Sequence, residues 1–214
     1  MRALVVSGGK TDSVFFRRYL LSGEYDLTVA VDSGMKMFYG EQADPDCIIG
    51  DFDSADPEIL QYFRERHVDI TTLIPEKDDT DTEAGLRLAI RRGADEITLI
   101  GATGSRLDHI LGNIELLGIG LQEHVSICME DPHNRIRMLD HGISLKKAEQ
   151  YGDYFSLIPF TPKVTGLTIT GAKYPLRDAE MVCFNSLGVS NEITAETAEI
   201  SFDSGILLLL ETRD

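Results

Sequence analysis

Cysteine and tryptophan are scarce in this 214-residue sequence, which has three cysteines and no tryptophan. Cys47, Cys128 and Cys183 lie far apart and form no C-x-x-C pair. We expect neither a disulfide framework nor a cysteine-rich zinc site, because both need clustered cysteines. Free buried thiols in a reducing compartment fit this pattern better.

Long apolar runs are also missing. The run at residues 3–6 is shorter than the apolar region of a secretory signal peptide. The run at residues 206–210 is far shorter than the ~20 residues that a transmembrane helix needs. We therefore expect a cytoplasmic protein that does not cross a membrane.

Basic residues are too few to balance the acidic ones. Lysine and arginine number 20 and aspartate and glutamate number 36, so the formal net charge is −16. A chain with this charge repels nucleic acids and anionic membranes on average, and neither is an expected partner. An anionic substrate is compatible with this charge, because a metal ion can bridge carboxylates and phosphates.

Short apolar runs alternate with helical patterns over residues 1–131. Uninterrupted apolar runs are typical of strands buried on both faces of a parallel sheet. They lie at residues 3–6, 27–31, 47–49, 96–100 and 125–129. Helices are predicted at residues 57–66, 80–92 and 107–117. This order predicts an α/β domain with a mostly parallel, Rossmann-like sheet.

A different pattern begins near residue 131. Apolar residues alternate with polar ones, as in Ile136 and Met138 or Leu167 and Ile169. Such alternation between turns predicts a small all-β, sandwich-like domain over residues 132–214. The run at residues 206–210 is either a buried strand of this domain or part of an interface.

Acidic residues gather where the predicted strands end. Asp32, Asp51 and Asp53 each follow a strand, whereas Asp78 and Asp81 precede or begin a helix. Ligands of open α/β sheets bind outside the carboxyl ends of the strands, so these side chains are expected to converge. Closely spaced carboxylates repel one another unless a cation lies among them, and their oxygens suit Mg²⁺.

The two acidic segments also have a structural alternative. If residues 51–53 are extended, the side chains of Asp51 and Asp53 point the same way. Otherwise the segment is a turn in which Ser54 or Asp56 caps the next helix. The second segment, K-D-D-T-D-T-E from residue 77, is either a further group of ligands, with its lysine near a phosphate, or a helix-capping sequence.

A glycine-rich loop follows the fourth predicted strand. Residues 101–109 read G-A-T-G-S-R-L-D-H. Backbone N–H groups of such a loop can bind an anion, and the guanidinium of Arg106 can bind a phosphate with two hydrogen bonds. The loop lacks the ending of a Walker motif. Its alternative is an ordinary turn in which His109 is a packed or surface histidine. A second glycine turn, S-G-G-K at residues 7–10, is weak evidence by itself.

Several segments fit one known family in order and spacing. They are D-S-G at residues 32–34, P-D-C-I-I-G-D-F-D-S at 45–54, D-D-T-D-T-E at 78–83, the loop at 101–109 with Asn113, Y-P-L at 174–176 and G-V-S-N-E at 188–192. Together they resemble thiamine pyrophosphokinase. The resemblance implies transfer of the terminal pyrophosphate of ATP to the hydroxyethyl oxygen of thiamine, giving thiamine diphosphate and AMP.

The resemblance also implies roles for individual residues. The Mg²⁺ ligands would be Asp32, Asp51, Asp53 and Asp81. The residues of the chemical step would be Asp51, Asp53, Asp78, Asp81, Arg106 and Asp108. A nearby carboxylate can take the hydroxyl proton of thiamine, and the sequence does not decide between Asp108 and Asp78 as this base. The nucleotide would lie near Ser33, Lys77, Thr80, Thr82, Gly101, Gly104, Arg106 and His109. Thiamine would contact Asp108, Ser190 and Asn191.

The resemblance further implies a homodimer in which thiamine binds between the α/β domain of one subunit and the β domain of the other. Some members of the family stack thiamine on a tryptophan, which this chain lacks. Tyr174 is a candidate for the aromatic ring here. Ser33 stands where the family often has glycine, so the backbone has less freedom at that position.

Two other functions stay open from the sequence. One is a related diphosphotransferase or phosphohydrolase that acts on another alcohol or nucleotide. The other is a non-catalytic module that binds thiamine or a nucleotide. Product analysis separates the enzymes, since pyrophosphoryl transfer releases AMP and a hydrolase releases inorganic phosphate.

Overall fold

The computed structural model describes residues 1–53, 55–74 and 79–214, and the chain divides into two compact units, Met1–Pro132 and His133–Asp214. Each unit has a hydrophobic core of its own. None of the described helices is long and apolar enough to cross a bilayer.

The first unit contains parallel strands. They are β1 (Arg2–Val6), β2 (Leu27–Val31), β3 (Cys47–Gly50), β4 (Asp69–Thr72), β5 (Glu96–Ile100) and β6 (Ser126–Glu130). Their order is β4-β3-β2-β1-β5-β6, and every neighbouring pair is parallel. Strands β1 to β4 follow one another toward one edge of the sheet, whereas β5 and β6 lie on the other side of β1. The direction of strand order therefore reverses between β1 and β5. Ligands of such sheets bind at this reversal.

The helices of this unit are α1 (Ser13–Leu20), α2 (Met35–Gly40), α3 (Pro57–Glu65), α4 (Asp81–Arg91), α5 (Leu107–Glu115) and α6 (Gly118–Glu123). The predicted α/β domain with a mostly parallel sheet is confirmed. The predicted helices are α3, α4 and α5, although α5 ends earlier than expected. The prediction missed α1, α2, α6 and β4. The residues of β4 are largely exposed, so this strand has no apolar run.

Complete burial of the central strands explains their apolar sequences. Leu4, Val5 and Val6 of β1 have no exposed surface. Phe16 of α1 and Phe38 of α2 are also fully buried, and their rings meet edge to face with centroids 4.9 Å apart. Burial of each such side chain contributes about 2–3 kcal/mol. This core holds the strand ends, and the residues that follow them, in defined positions.

The second unit is built from antiparallel strands. They are β7 (Asn134–Leu139), β8 (Ile143–Lys146), β9 (Tyr154–Pro159), β10 (Lys163–Thr170), β11 (Leu176–Val182), β12 (Thr197–Ser201) and β13 (Leu207–Thr212). Strand β13 pairs with β7 and β9, and a second sheet has the order β11-β10-β12-β8.

Side chains from both of these sheets form one core. Phe155 and Leu209 come from the first sheet and Leu167 comes from the second. The predicted all-β, sandwich-like arrangement is confirmed. Leu207 and Leu209 are fully buried, so residues 206–210 contribute to a core strand of this unit.

Candidate active site

Functional side chains of the first unit lie at the carboxyl edge of its parallel sheet. The residues that directly follow β1, β2, β3 and β5 are Ser7, Asp32, Asp51 and Gly101. Because these strands are parallel, their carboxyl ends meet at one edge. The topology therefore brings together segments that are far apart in the sequence.

Asp32 lies near Asp51, Asp53 and Asp81, and these four residues form the acidic group of the site. Oδ1 of Asp32 is buried and has no hydrogen-bond partner within the described part of the chain. Burial raises the pKa of Asp32, and a hydrogen bond from the backbone N–H of Ser33 lowers it. Neighbouring negative charges raise it further, and they belong to Asp81, Asp51 and Asp53. The other three aspartates predicted as metal ligands thus lie close enough to Asp32 to disfavour its ionised form.

The ends of β2 and β3 approach each other closely beside this group. A Cβ on Gly50 would lie 3.1 Å from Cα of Asp32, so a side chain there would press on the backbone. Asp32 itself has a left-handed φ of 47°. This conformation costs on the order of 1 kcal/mol or more for a residue other than glycine, and such strain concentrates at functional sites.

The segment at residues 51–53 is a turn and not an extended strand. Phe52 has a φ of 60°. The backbone N–H of Asp53 donates to Oδ1 of Asp51 at 3.1 Å. An aspartate that bonds the backbone two residues on favours a turn, so the extended arrangement considered for these two aspartates is wrong.

Other residues cap the helices that follow the acidic segments. Asp56 accepts a hydrogen bond from the N–H of Glu58 at 3.0 Å at the start of α3. Thr80 accepts one from the N–H of Glu83 at 3.2 Å at the start of α4. The carboxylate of Glu83 pairs with Arg87, so only half of the predicted capping box is observed. The alternative of a turn followed by a cap at Asp56 is therefore observed at the first segment, and the cap is neither Asp51 nor Asp53.

The acidic group fits a hard divalent cation. Its donors are carboxylate oxygens, and a cation would give the buried Oδ1 of Asp32 a partner. Among residues 1–53, 55–74 and 79–214, no three acidic, histidine or cysteine side chains enclose a metal ion by themselves. Mg²⁺ usually keeps water molecules and binds substrate phosphates, so one or two protein carboxylates suffice for it.

The glycine-rich loop lies on the turn that follows β1. The backbone N–H of Gly9 donates to the carbonyl of Gly101 at 2.7 Å. A Cβ on Gly101 would lie 2.3 Å from the carbonyl oxygen of Ser7. Nδ2 of Asn113 in α5 donates to the carbonyl of Ala102 at 2.8 Å and holds the loop from the other side. The S-G-G-K turn, weak evidence in the sequence, is therefore part of the site.

Arg106 and Asp108 pair at the start of α5. Nε and Nη2 of Arg106 donate to Oδ1 and Oδ2 of Asp108 at 3.1 and 2.6 Å. This pair of hydrogen bonds lowers the pKa of Asp108 from 3.8 to about 2. A carboxylate with so low a pKa is a weak base in this arrangement. Both side chains are exposed beside the loop, as are Gly104 and His109.

Three hydroxyl groups predicted near the nucleotide make hydrogen bonds within the protein. Oγ of Ser33 donates to the carbonyl of Gly8 at 3.2 Å. Thr82 is buried, and its Oγ1 lies 2.7 Å from Oγ of Ser7. The third, Thr80, caps α4. Three further predicted residues lie outside the described part of the chain, namely Ser54, Lys77 and Asp78.

Two of the three predicted thiamine contacts, Ser190 and Asn191, lie in the second unit, whereas Asp108 lies in the first. Asn191 is buried, and its side chain is bonded to the backbone of Tyr174. Its Oδ1 accepts from the N–H of Tyr174 at 3.0 Å, and its Nδ2 donates to the carbonyl of Tyr174 at 2.9 Å. Ser190 and the ring of Tyr174 are exposed. Asn191 thus supports the two neighbouring groups that a ligand can reach.

Comparison with known proteins identifies relatives over most of the chain. Residues 19–129 match the family model described as thiamin pyrophosphokinase, catalytic domain. Residues 140–207 match the one described as thiamin pyrophosphokinase, vitamin B1 binding domain. A thiamine pyrophosphokinase of Bacillus subtilis (strain 168) is 32% identical over 191 residues, which cover 89% of this chain and 89% of the relative.

Solved structures of such proteins have the same fold. The crystal structure of thiamine pyrophosphokinase from Bacillus subtilis superimposes with a TM-score of 0.88 at 30% identity, and all of both chains is covered. That of thiamin pyrophosphokinase from Geobacillus thermodenitrificans has a TM-score of 0.85 at 32% identity, covering 100% of this chain and 98% of the other.

Proposed function

We infer the roles of individual residues from the premise that this chain belongs to the thiamine pyrophosphokinase family. The chain transfers the pyrophosphate of ATP to thiamine and releases AMP. The observation that carries this conclusion is the 32% identity to the Bacillus subtilis enzyme over 89% of both chains. The convergence of carboxylates beside a glycine-rich loop supports it independently, since this chemistry needs a cation and an anion-binding loop.

The two parts of the chain are assigned different substrates. We propose that residues 1–131 bind ATP and Mg²⁺ and that residues 132–214 bind thiamine and form a homodimer. The first assignment is supported by the position of the acidic group and the glycine-rich loop at the reversal between β1 and β5. The protein is proposed to act in the cytoplasm.

The acidic group is proposed to hold Mg²⁺. The side chains that would hold it are those of Asp32, Asp51, Asp53 and Asp81. When bound, the ion neutralises the charge of the nucleotide phosphates. The protein contributes a fixed set of oxygens, because the backbone of Asp32 is pressed against Gly50 and the turn at residues 51–53 is closed by a hydrogen bond.

Arg106 and the glycine-rich loop are proposed to bind the phosphates. The guanidinium of Arg106 is exposed, and two of its N–H groups are bonded to Asp108. A phosphate can compete with Asp108 for these donors. The backbone groups of Gly101 and Gly104 are proposed to bind the phosphates together with Arg106. The other residues proposed around the nucleotide are Ser33, Lys77, Thr80, Thr82 and His109.

The reaction forms a bond from the hydroxyethyl oxygen of thiamine to the β-phosphorus of ATP. The bond from that phosphorus to the oxygen of AMP breaks, and the hydroxyl proton passes to a base. Asp78 and Asp108 are the candidate bases. The pKa of about 2 disfavours Asp108 while it is paired with Arg106, and in that state Asp108 positions the arginine.

Thiamine is proposed to contact Ser190, Asn191 and Asp108. The exposed ring of Tyr174 is proposed to stack on thiamine in place of a tryptophan. The Asn191 side chain accepts one hydrogen bond from the Tyr174 backbone and donates another to it. These bonds support the proposal, because they fix the backbone that carries the ring. Stacking on an aromatic cationic ring adds about 0.5–2 kcal/mol to binding.

Product analysis tests the proposed function. The purified protein is incubated with ATP, Mg²⁺ and thiamine, and the products are separated by chromatography. Equal amounts of thiamine diphosphate and AMP are expected. Inorganic phosphate without thiamine diphosphate would favour a phosphohydrolase, and binding without any product would favour a non-catalytic module.

Two further measurements test the proposed metal role. Nucleotide affinity should collapse when a chelator removes divalent ions, since an acidic protein repels ATP without them. Asp53→Asn should abolish turnover, because it removes one of the proposed ligands. Tight ATP binding in the presence of chelator would contradict the role of Mg²⁺.

A further inference from the structure

A buried pair of hydroxyl groups connects the turn after β1 to the start of α4. Oγ of Ser7 lies 2.7 Å from Oγ1 of Thr82, and both residues are buried. Thr82 directly follows Asp81, the first residue of α4. We infer that Ser7 and Thr82 are positioning residues, which hold Asp81 in register with the other carboxylates. This inference rests on the proposed metal role of that acidic group.

Within the described part of the chain, the turn after β1 is hydrogen-bonded to three of the four segments that carry the site, the exception being the turn at residues 51–53. Its Ser7 bonds Thr82 at the start of α4. The carbonyl of Gly8 accepts a hydrogen bond from Ser33, next to Asp32. The backbone of Gly9 bonds the glycine-rich loop. The turn therefore supports the segments that carry Asp32 and Asp81 as well as the glycine-rich loop, and Ser7 bonds Thr82, the residue next to Asp81.

The middle of α4 is fixed by a separate contact. A Cβ on Gly85 would lie 2.5 Å from Cγ2 of Val31, so this helix packs tightly on β2. That contact sets the distance of the helix from the sheet. The hydrogen bond between Ser7 and Thr82 holds α4 about one helical turn before Gly85, at the N-terminal end of the helix. It joins this first turn to the turn after β1.

Small displacements of Asp81 should matter for ion binding. Ligand groups must stay within about 0.5 Å of the productive geometry to work together. Loss of either hydroxyl removes the bond and leaves the other hydroxyl buried without it. The expected result is a weaker metal site in a protein that is still folded, because the core residues of the unit are untouched.

The test compares variants that keep or remove the hydroxyl pair. Thr82→Val removes it at nearly constant volume, Thr82→Ser keeps the hydroxyl, and Ser7→Ala removes it from the other side. The matched control is Thr98→Val. Thr98 is also buried and bonded through its hydroxyl, to Tyr25 at 3.1 Å, but it lies within β5 and outside the site.

Two measurements are made on each variant. One is the Mg²⁺ concentration for half-maximal activity at saturating ATP and thiamine. The other is binding of Mn²⁺ alone, followed by the electron paramagnetic resonance signal of the free ion. We expect Thr82→Val and Ser7→Ala to weaken both by on the order of tenfold. Thr82→Ser should stay within threefold of the wild type, and Thr98→Val should leave both unchanged.

The double variant Ser7→Ala/Thr82→Val should be no worse than either single variant, because both remove the same bond. Equal metal requirements in Thr82→Val, Ser7→Ala and Thr98→Val would overturn the inference and leave the pair a purely structural role. If Thr82→Val does not fold, Ser7→Ala decides. Failure of the proposed function is recognised separately, since the wild type itself would then show no Mg²⁺ requirement and no Mn²⁺ binding, and the positioning role would fall with it.

Discussion

Arg106 and Asp108 are two residues apart and share two hydrogen bonds, of 3.1 and 2.6 Å, at the start of α5. The arrangement turns the guanidinium and the carboxylate into one nearly neutral, exposed group beside the glycine-rich loop. A phosphate competes with Asp108 for the same donors. If Arg106 binds a phosphate of the nucleotide as proposed, the pair connects nucleotide binding to the charge state of Asp108.

Replacement of Arg106 should raise the pKa of Asp108, because the hydrogen bonds that lower it are lost. In Arg106→Gln this pKa should rise from about 2 toward the ordinary value of 3.8, measured by carboxyl ¹³C NMR as a function of pH. The KM for ATP should rise by roughly tenfold or more, because a bidentate phosphate contact is lost. Arg17→Gln, which breaks another pair joined by two hydrogen bonds, with Glu41, is the control and should leave both values unchanged.

The sign of the pH effect follows from the lowered pKa. The pair with Arg106 adds to stability when Asp108 is ionised, so its contribution is complete above about pH 4 and is lost as the pH falls toward 2. Wild type and Arg106→Gln should therefore converge in stability at the acidic end. A pKa of Asp108 that is the same in both proteins would contradict the pairing.

Asp32→Asn should make the metal-free protein more stable and the enzyme inactive. The substitution removes a charge that lies among Asp81, Asp51 and Asp53. The melting temperature in chelator should rise by roughly 2–4 °C, which is about 1 kcal/mol for a chain of this length. Turnover should fall by at least about 100-fold, because a proposed ligand is lost.

The pH dependence of this stabilisation has a defined sign. Because the pKa of Asp32 is raised in the folded protein, its ionisation costs stability as the pH rises through that pKa. The difference between Asp32→Asn and the wild type should therefore shrink toward acidic pH. Asp153→Asn removes an equal charge from the surface of the second unit and should show no such difference. A melting temperature lowered by Asp32→Asn in chelator would argue against repulsion within the group.

Ser190 and Asn191 should respond differently to alanine. Asn191→Ala removes a buried amide with three hydrogen bonds to backbone groups, and the free energy of unfolding should fall by about 2–3 kcal/mol. Ser190→Ala changes an exposed side chain, so stability should change by less than about 0.5 kcal/mol. Its effect should be a raised KM for thiamine. Urea unfolding and steady-state kinetics check both, and an unchanged KM would remove Ser190 from the proposed thiamine site.

Cys47 should be unreactive in the folded protein. It is fully buried in β3, and burial raises the pKa of its thiol from 9.0 to about 11. A variant with Cys128→Ser and Cys183→Ser keeps it as the one thiol of the chain. At pH 8 this variant should react with Ellman's reagent only after guanidinium is added, because the thiolate and not the thiol is reactive. Rapid reaction without denaturant would contradict the burial of this strand.

Local sequence patterns determined the secondary structure where a strand or helix is regular. The run at residues 27–31 became β2 without a change of bounds, because a strand buried on both faces needs consecutive apolar residues. Thr80 capped α4 as its position suggested, since a hydroxyl before a helix has a partner in the first turn. The exposed β4 escaped prediction, because its stability comes from pairing with β3 and leaves no apolar signal.

Tertiary structure decided how the functional segments meet. The motifs containing Asp32, Asp51 and Arg106 were readable in the sequence because each keeps its own spacing and residue types. The hydrogen bonds between Asn191 and Tyr174, and the bond between Ser7 and Thr82, join residues that are far apart in the chain and depend on strand pairing and packing. The contact between Ser7 and Thr82 arises only when the parallel sheet places the end of β1 beside the start of α4. A local sequence pattern does not predict such a contact. The contacts of the turn after β1 with the other segments of the site are therefore seen only in the folded chain.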